Sequence, residues 1–238
     1  MYFVTAKDII NKYDGEFIMN ISLSQILAYA VVIIVCLPVH ECAHGLVAYW
    51  LGDPTAKSEG RLTLNPIKHI DIIGSICLLF AGFGWAKPVP INVAYFKNAK
   101  LGMAVSALAG PLSNFLMASA SIIFYKLVYY FNIFNGTNAF RDIVETIFQH
   151  MVMINIVLCI FNLIPIPPFD GSRIFTVFLP KKIYFGIMKF ERYLFIGLAV
   201  IIFTGILNEP LSFMYTSVFN FLDRITWFID LLATSIFR

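Results

Sequence analysis

The sequence predicts an all-α polytopic membrane protein of about five transmembrane helices, with a re-entrant segment and short membrane-associated β-strands among them. Three observations predict it. Of its 238 residues, 59% are hydrophobic and only 13% charged, about half the charge of ordinary soluble domains. The charges cluster between long neutral stretches: residues 21–39 and 101–125 carry none, and neutral apolar runs of about 20 residues match the hydrocarbon thickness of a bilayer. Third, the positive charge is uneven. Lys57, Arg61, Lys68, Lys87, Lys97 and Lys100 fall in one stretch, while residues 131–140 hold no Lys or Arg. Basic loops stay cytoplasmic, which places the 52–100 region inside and the 131–140 connection outside.

The first expected span is 21–51, interrupted only by a polar cluster near its end. Pro38 lies inside it; proline removes a backbone donor and clashes with the carbonyl four residues earlier, so a loosened turn is expected over 34–38. No small-residue cleavage site follows this run, which is therefore expected to be a retained span. The segment 72–83 is apolar but too short to cross, and suits a re-entrant element. Its flanks, 55–66 and 85–92, hold prolines, β-branched residues and alternating polar positions, the pattern of short strands or turns. Such irregular backbone survives at membrane depth only where protein or water covers it. Further spans are expected at 101–130, 142–164 and 183–207. The last segment, 210–237, is interrupted by Asp223, Arg224 and Asp230 and reads as a packed span or an interfacial helix. With no repeat, low-complexity tract or linker, residues 1–238 are expected to be a single membrane-embedded domain, its core at about 21–180 and C-terminal helices at 183–238. The four cysteines, Cys36, Cys42, Cys77 and Cys159, sit in apolar segments without paired spacing and read as small buried hydrophobes. A net charge of +3 gives no reason to expect a nucleic-acid partner.

The chemistry is concentrated in His40-Glu41-Cys42-Ala43-His44. Residues four apart on a helix are offset by about 40° and face the same way, so both imidazoles can reach one metal ion. Glu41 then lies beside the metal without ligating it, as a general base for an attacking water. Ionisable side chains within an apolar span are expensive and mark function. A catalytic zinc takes three protein ligands and keeps a fourth position open, so a third donor is needed at similar depth. His69, in a basic stretch, suits surface solvation; His150 suits a hydrogen bond between helices. Asp170 is the better candidate, where Pro165, Pro167 and Pro168 end the preceding span and Gly171 lets the backbone turn at the carboxylate, although an Asp-Gly pair taken alone is an ordinary turn.

The pattern from Asn162 through Pro165, Pro167 and Asp170 to Gly171, together with the His-Glu-x-x-His motif, resembles the site-2 protease family of intramembrane zinc metalloproteases. Phe169 stands where that family usually has Leu. Further matching stretches are Gly52-Asp53-Pro54-Thr55-Ala56, Gly60-Arg61-Leu62-Thr63-Leu64-Asn65-Pro66, Gly84-Trp85-Ala86-Lys87-Pro88-Val89-Pro90 and Gly110-Pro111-Leu112-Ser113-Asn114. The likeness covers roughly 21–180 and is to the compact bacterial and archaeal members without an inserted PDZ or CBS domain. It implies one zinc ion per chain, with His40, His44 and Asp170 as ligands, Glu41 as catalytic acid–base, and Asn162 as a polar group holding the scissile carbonyl. It also implies that 85–92 is an exposed strand edge to which an unwound substrate adds. The implied substrate is a transmembrane protein or peptide, cut in the cell membrane by a multi-pass enzyme whose active site lies toward the cytoplasm; self-association into a homo-oligomer is left open. Two rivals remain: a non-proteolytic zinc carrier or sensor, which would tolerate loss of Glu41, and a membrane-anchored metalloprotease acting on soluble peptides.

Overall fold

The computed structural model describes residues 30–74, 86–131, 138–180 and 204–236, with positions 26, 27, 186, 190, 193, 194, 197 and 201. Helix α1 (Leu37–Trp50) carries the His-Glu-x-x-His motif and is entered through a five-residue π-helical turn, Val32–Cys36. Widening the turn before Pro38 relieves the clash that proline makes with a regular helix. Helix α1 ends where Gly52 takes φ 106°, with Asp53 N donating to Ala48 O and Gly52 N to Tyr49 O. This paired closure needs a left-handed residue, and glycine supplies it at little steric cost. It turns Asp53 inward, where it is fully buried.

A one-turn helix, α2 (Thr55–Ser58), and two 3-10 turns, Pro66–Lys68 and Val93–Tyr95, lead to the central helix α3 (Ala99–Phe131). Along one face of α3, Gly102, Ser106, Gly110, Asn114, Ala118, Ile122 and Lys126 are all buried, a stripe repeating every four residues. The small residues in its first half let neighbouring backbones approach closely. Helix α4 (Asn138–Leu163) packs along α3, and α5 (Asp170–Ile174) follows a proline-rich loop to lie against both. Helices α6 (Asn208–Ile225) and α7 (Trp227–Ile236) complete the described chain. The main apolar cluster joins Ala118 and Ile122 of α3, Val152, Ile156 and Ile160 of α4, and Tyr215, Phe219 and Leu222 of α6.

The described residues are mostly helical, which is compatible with only part of the expected class, and two parts of the expectation are corrected. Among the described residues only two helices are long and apolar enough to cross a membrane, Ala99–Phe131 and Phe140–Leu163, not five. Of the 183–207 segment only isolated positions are described, and residues 75–83 of the expected re-entrant element lie outside the described residues. The 210–237 segment is broken at Thr226, between α6 and α7. The break lets Asp223 and Asp230 both reach Lys126 of α3, at 2.7 and 2.6 Å, so the two carboxylates that interrupt the apolar run pair with a buried cation.

The second correction concerns the strands: the described residues contain none. Residues 55–58 form α2, with Thr55 N held by Asp53 Oδ1 at 3.0 Å. Residues 86–92 run without regular structure, and their polar backbone groups are met by other partners than a ladder. Lys87 N donates to His69 O at 2.8 Å. Arg61 Nη2 donates to Lys87 O and Pro88 O at 2.8 and 3.1 Å, and Asn92 N donates to Asp53 Oδ2 at 2.6 Å. Pro88 and Pro90 have no N–H to offer. Over 86–92 the expected open edge is therefore replaced by a strap tied down along its length, and residue 85 lies outside the described residues.

Candidate metal centre

His40 and His44 lie one turn apart on the buried face of α1, their rings edge to face with centroids 4.6 Å apart. Asp170 opens α5 and is also buried. Its Oδ2 is 3.4 Å from His40 Nε2 and 3.2 Å from His44 Nε2, and the two Nε2 atoms are 3.1 Å apart.

These three residues form the one group of potential metal ligands among the described residues. The donor set, two imidazoles and a carboxylate, is that of a catalytic zinc with one open position. Ligands held tetrahedrally at 2.0–2.1 Å from zinc stand roughly 3.3 Å from each other, and the three separations here bracket that spacing. The residues fit the ion.

Two glycines make the approach of these groups sterically feasible. A Cβ on Gly110 of α3 would overlap Nε2 of His44 and Cε1 of His40. One on Gly171 would overlap the carbonyls of Leu163 and Ile164, where α5 crosses the end of α4. Gly171 is not among the positive-φ glycines; its role is close approach, not the turn its sequence position suggests.

Outer contacts orient the imidazoles. His44 Nδ1 donates to Ser106 O at 2.8 Å; a carbonyl only accepts, so this nitrogen carries the proton and Nε2 presents a lone pair to the cluster. His40 Nδ1 faces the side-chain amide of Asn114 at 3.1 Å. The sequence reading missed Ser106, Gly110 and Asn114 as parts of the site. The signal for them is the four-residue period of small and polar residues along α3.

Glu41 is half-buried, and its Oε2 accepts the backbone N–H of Val89 at 2.9 Å. Val89 itself is buried, its Cγ1 within 3.0 Å of where a Gly45 Cβ would lie. Asn162 is half-buried on the last turn of α4, and none of the hydrogen bonds found among the described residues involves its side chain. His150 bonds Thr146 O of its own helix through Nδ1 at 2.8 Å. His69, expected in solvent, is fully buried and bonds Thr63 O at 2.7 Å, because its loop folds under the strap.

Comparison with known proteins follows the same lines. Residues 126–204 match the model of peptidase family M50, a stretch that includes Asp170 but not the histidine pair. The chain is 40% identical over 181 residues to a Bacillus subtilis protein named "Putative zinc metalloprotease YwhC", covering 76% of this chain and 82% of that one. It is 24% identical over 205 residues to "Putative zinc metalloprotease Rip2" of Mycolicibacterium smegmatis, covering 82% of this chain and 70% of the relative. No solved structure matches the chain.

Proposed function

The chain belongs to peptidase family M50, and on that premise we propose that His40, His44 and Asp170 hold one zinc ion, beside which Glu41 serves as acid–base in peptide-bond hydrolysis. The enzyme is an intramembrane zinc metalloprotease cutting in or near transmembrane segments of membrane proteins. The observation that carries the residue assignment is the buried triangle of Nε2, Nε2 and Oδ2 atoms, 3.1 to 3.4 Å on its edges.

When bound there, zinc supplies a Lewis acid that makes water nucleophilic near neutral pH and stabilises negative charge on the attacked carbonyl oxygen. The protein's own groups do the rest. Glu41, its carboxylate held at Oε2 by the Val89 N–H, takes the proton of the attacking water and returns it to the leaving amine. Asn162, on the last turn of α4 before the loop to Asp170, holds the scissile carbonyl. The strap over 86–92 covers α1 beside the motif and keeps Glu41 in place while the substrate helix opens locally. Residues 1–238 work as one membrane-embedded, multi-pass unit, and the basic residues between Lys57 and Lys100 support an active site on the cytoplasmic side.

The test is proteolysis in reconstituted vesicles. The purified chain is mixed with a panel of single-span peptides differing in helix stability, and fragments are read by mass spectrometry. Cleavage by wild type but not by Glu41→Gln, abolished by a zinc chelator and restored by zinc, is the expected result. Equal cleavage by Glu41→Gln would remove the assigned base.

A further inference from the structure

Asn114 is fully buried in the middle of α3. Its Nδ2 lies 3.1 Å from His40 Nδ1, while its Oδ1 is buried and has no hydrogen-bond partner among the described residues. A buried acceptor left unpaired is destabilising, so an orphaned amide oxygen next to an imidazole is an arrangement with an unused role.

The other end of the same ring defines that role. His40 Nε2 is turned to His44 Nε2 and Asp170 Oδ2. A ring nitrogen that ligates a metal carries no proton, so Nδ1 must carry it and needs an acceptor. Amide oxygen and nitrogen are nearly equal in size, and turning the side-chain amide over exchanges them in place. With the proton on Nε2, Asn114 donates to Nδ1; with the proton on Nδ1, the turned amide accepts it through the oxygen that otherwise has no partner. His44 needs no such device, since the Ser106 carbonyl accepts from its Nδ1 permanently.

We propose that Asn114 is a positioning residue of the metal centre, whose side-chain oxygen accepts the Nδ1 proton of His40 and so fixes the tautomer and ring plane in which Nε2 can ligate. Three successive turns of α3 then make one bed for the histidine pair: Ser106 orients His44, Gly110 makes room for both rings, and Asn114 orients His40. The inference rests on the reading of His40, His44 and Asp170 as zinc ligands.

The experiment is chelator-competition titration of zinc on the full chain in detergent, for wild type, Asn114→Ala, Asn114→Asp and His44→Ala. Ring ¹⁵N spectra of the zinc-loaded wild type accompany it. Outer partners of ligating histidines typically change metal affinity roughly 10- to 100-fold. Asn114→Ala is expected to weaken zinc binding by about that factor, and Asn114→Asp, which keeps an acceptor in the same volume, to stay within a few-fold of wild type. The spectra are expected to show His40 protonated at Nδ1, a readout that does not depend on any variant folding. If Asn114→Ala binds as tightly as wild type while His44→Ala does not bind, the centre stands and the role of Asn114 falls. Ligation of His40 through Nδ1 overturns it equally. If His44→Ala also keeps full affinity, the ligand assignment itself is wrong.

Discussion

The backbone N–H of Val89 donates to Oε2 of Glu41 across 2.9 Å, joining a loop residue to the assigned base 48 positions earlier. A charged acceptor makes this bond stronger than a neutral one, and it restrains the orientation of the carboxylate. Val89 can serve because it lies between Pro88 and Pro90, which have no N–H. The strap that presents it is held by Arg61, His69 and Asp53.

Arg61 is buried and gives two hydrogen bonds to strap carbonyls. Arg61→Gln removes a charged donor that serves both, at a cost of roughly 1.5–3 kcal/mol. The expected result is a lower unfolding temperature in detergent and faster cutting of residues 86–92 by an added soluble protease, with zinc content unchanged. Wild-type resistance of that segment would show that Arg61 does not hold the strap.

Gly110→Ala introduces a methyl where the two imidazoles already stand. The rings must move apart from Asp170, so zinc content is expected to fall sharply although every ligand is present. Circular dichroism should keep its helical signal, because alanine favours helix more than glycine does. Full zinc occupancy in this variant would contradict the packing of α1 on α3.

Lys126 is buried and balances Asp223 and Asp230. Lys126→Met leaves two carboxylates facing each other. The cost is expected at roughly 2–3 kcal/mol, below the 3–5 kcal/mol of a fully buried pair because the Asp223 side chain is 44% exposed and partly screened. Thermal unfolding reads the loss, and Asp223→Asn with Asp230→Asn in the same chain should recover part of it. Zinc content should not change, since the cluster lies far along α3 from His44. A triple variant no more stable than Lys126→Met would contradict pairing as the cause.

How much of this was legible in the sequence depended on the distance over which each residue finds its partner. His40, Glu41 and His44 declare themselves within one helical turn, against an apolar background that makes their cost conspicuous. The widened turn before Pro38 is equally local. Asp170 needed the resemblance, because an Asp-Gly pair after prolines is ordinary until α5 brings it against α1. The strap was misread as strands: prolines alternating with apolar residues suit an edge strand, but here the backbone groups are met by Arg61 and Asp53, 26 and 39 residues away. The break at Thr226 was hidden for the same reason, since Lys126 is 104 positions from Asp230. Asn114 and Ser106 were legible in principle as a four-residue stripe on α3, but its meaning depends on the histidines 74 and 62 residues away.

The central claim, a zinc centre of two histidines and an aspartate beside a non-ligating glutamate, is tested most directly by zinc content. The purified, detergent-solubilised chain is measured as wild type, His44→Ala, Asp170→Asn and Glu41→Gln. The account predicts about one zinc per chain in wild type and in Glu41→Gln, and loss in the other two. Zinc retained by Asp170→Asn but lost from His69→Ala or His150→Ala would contradict the assigned centre.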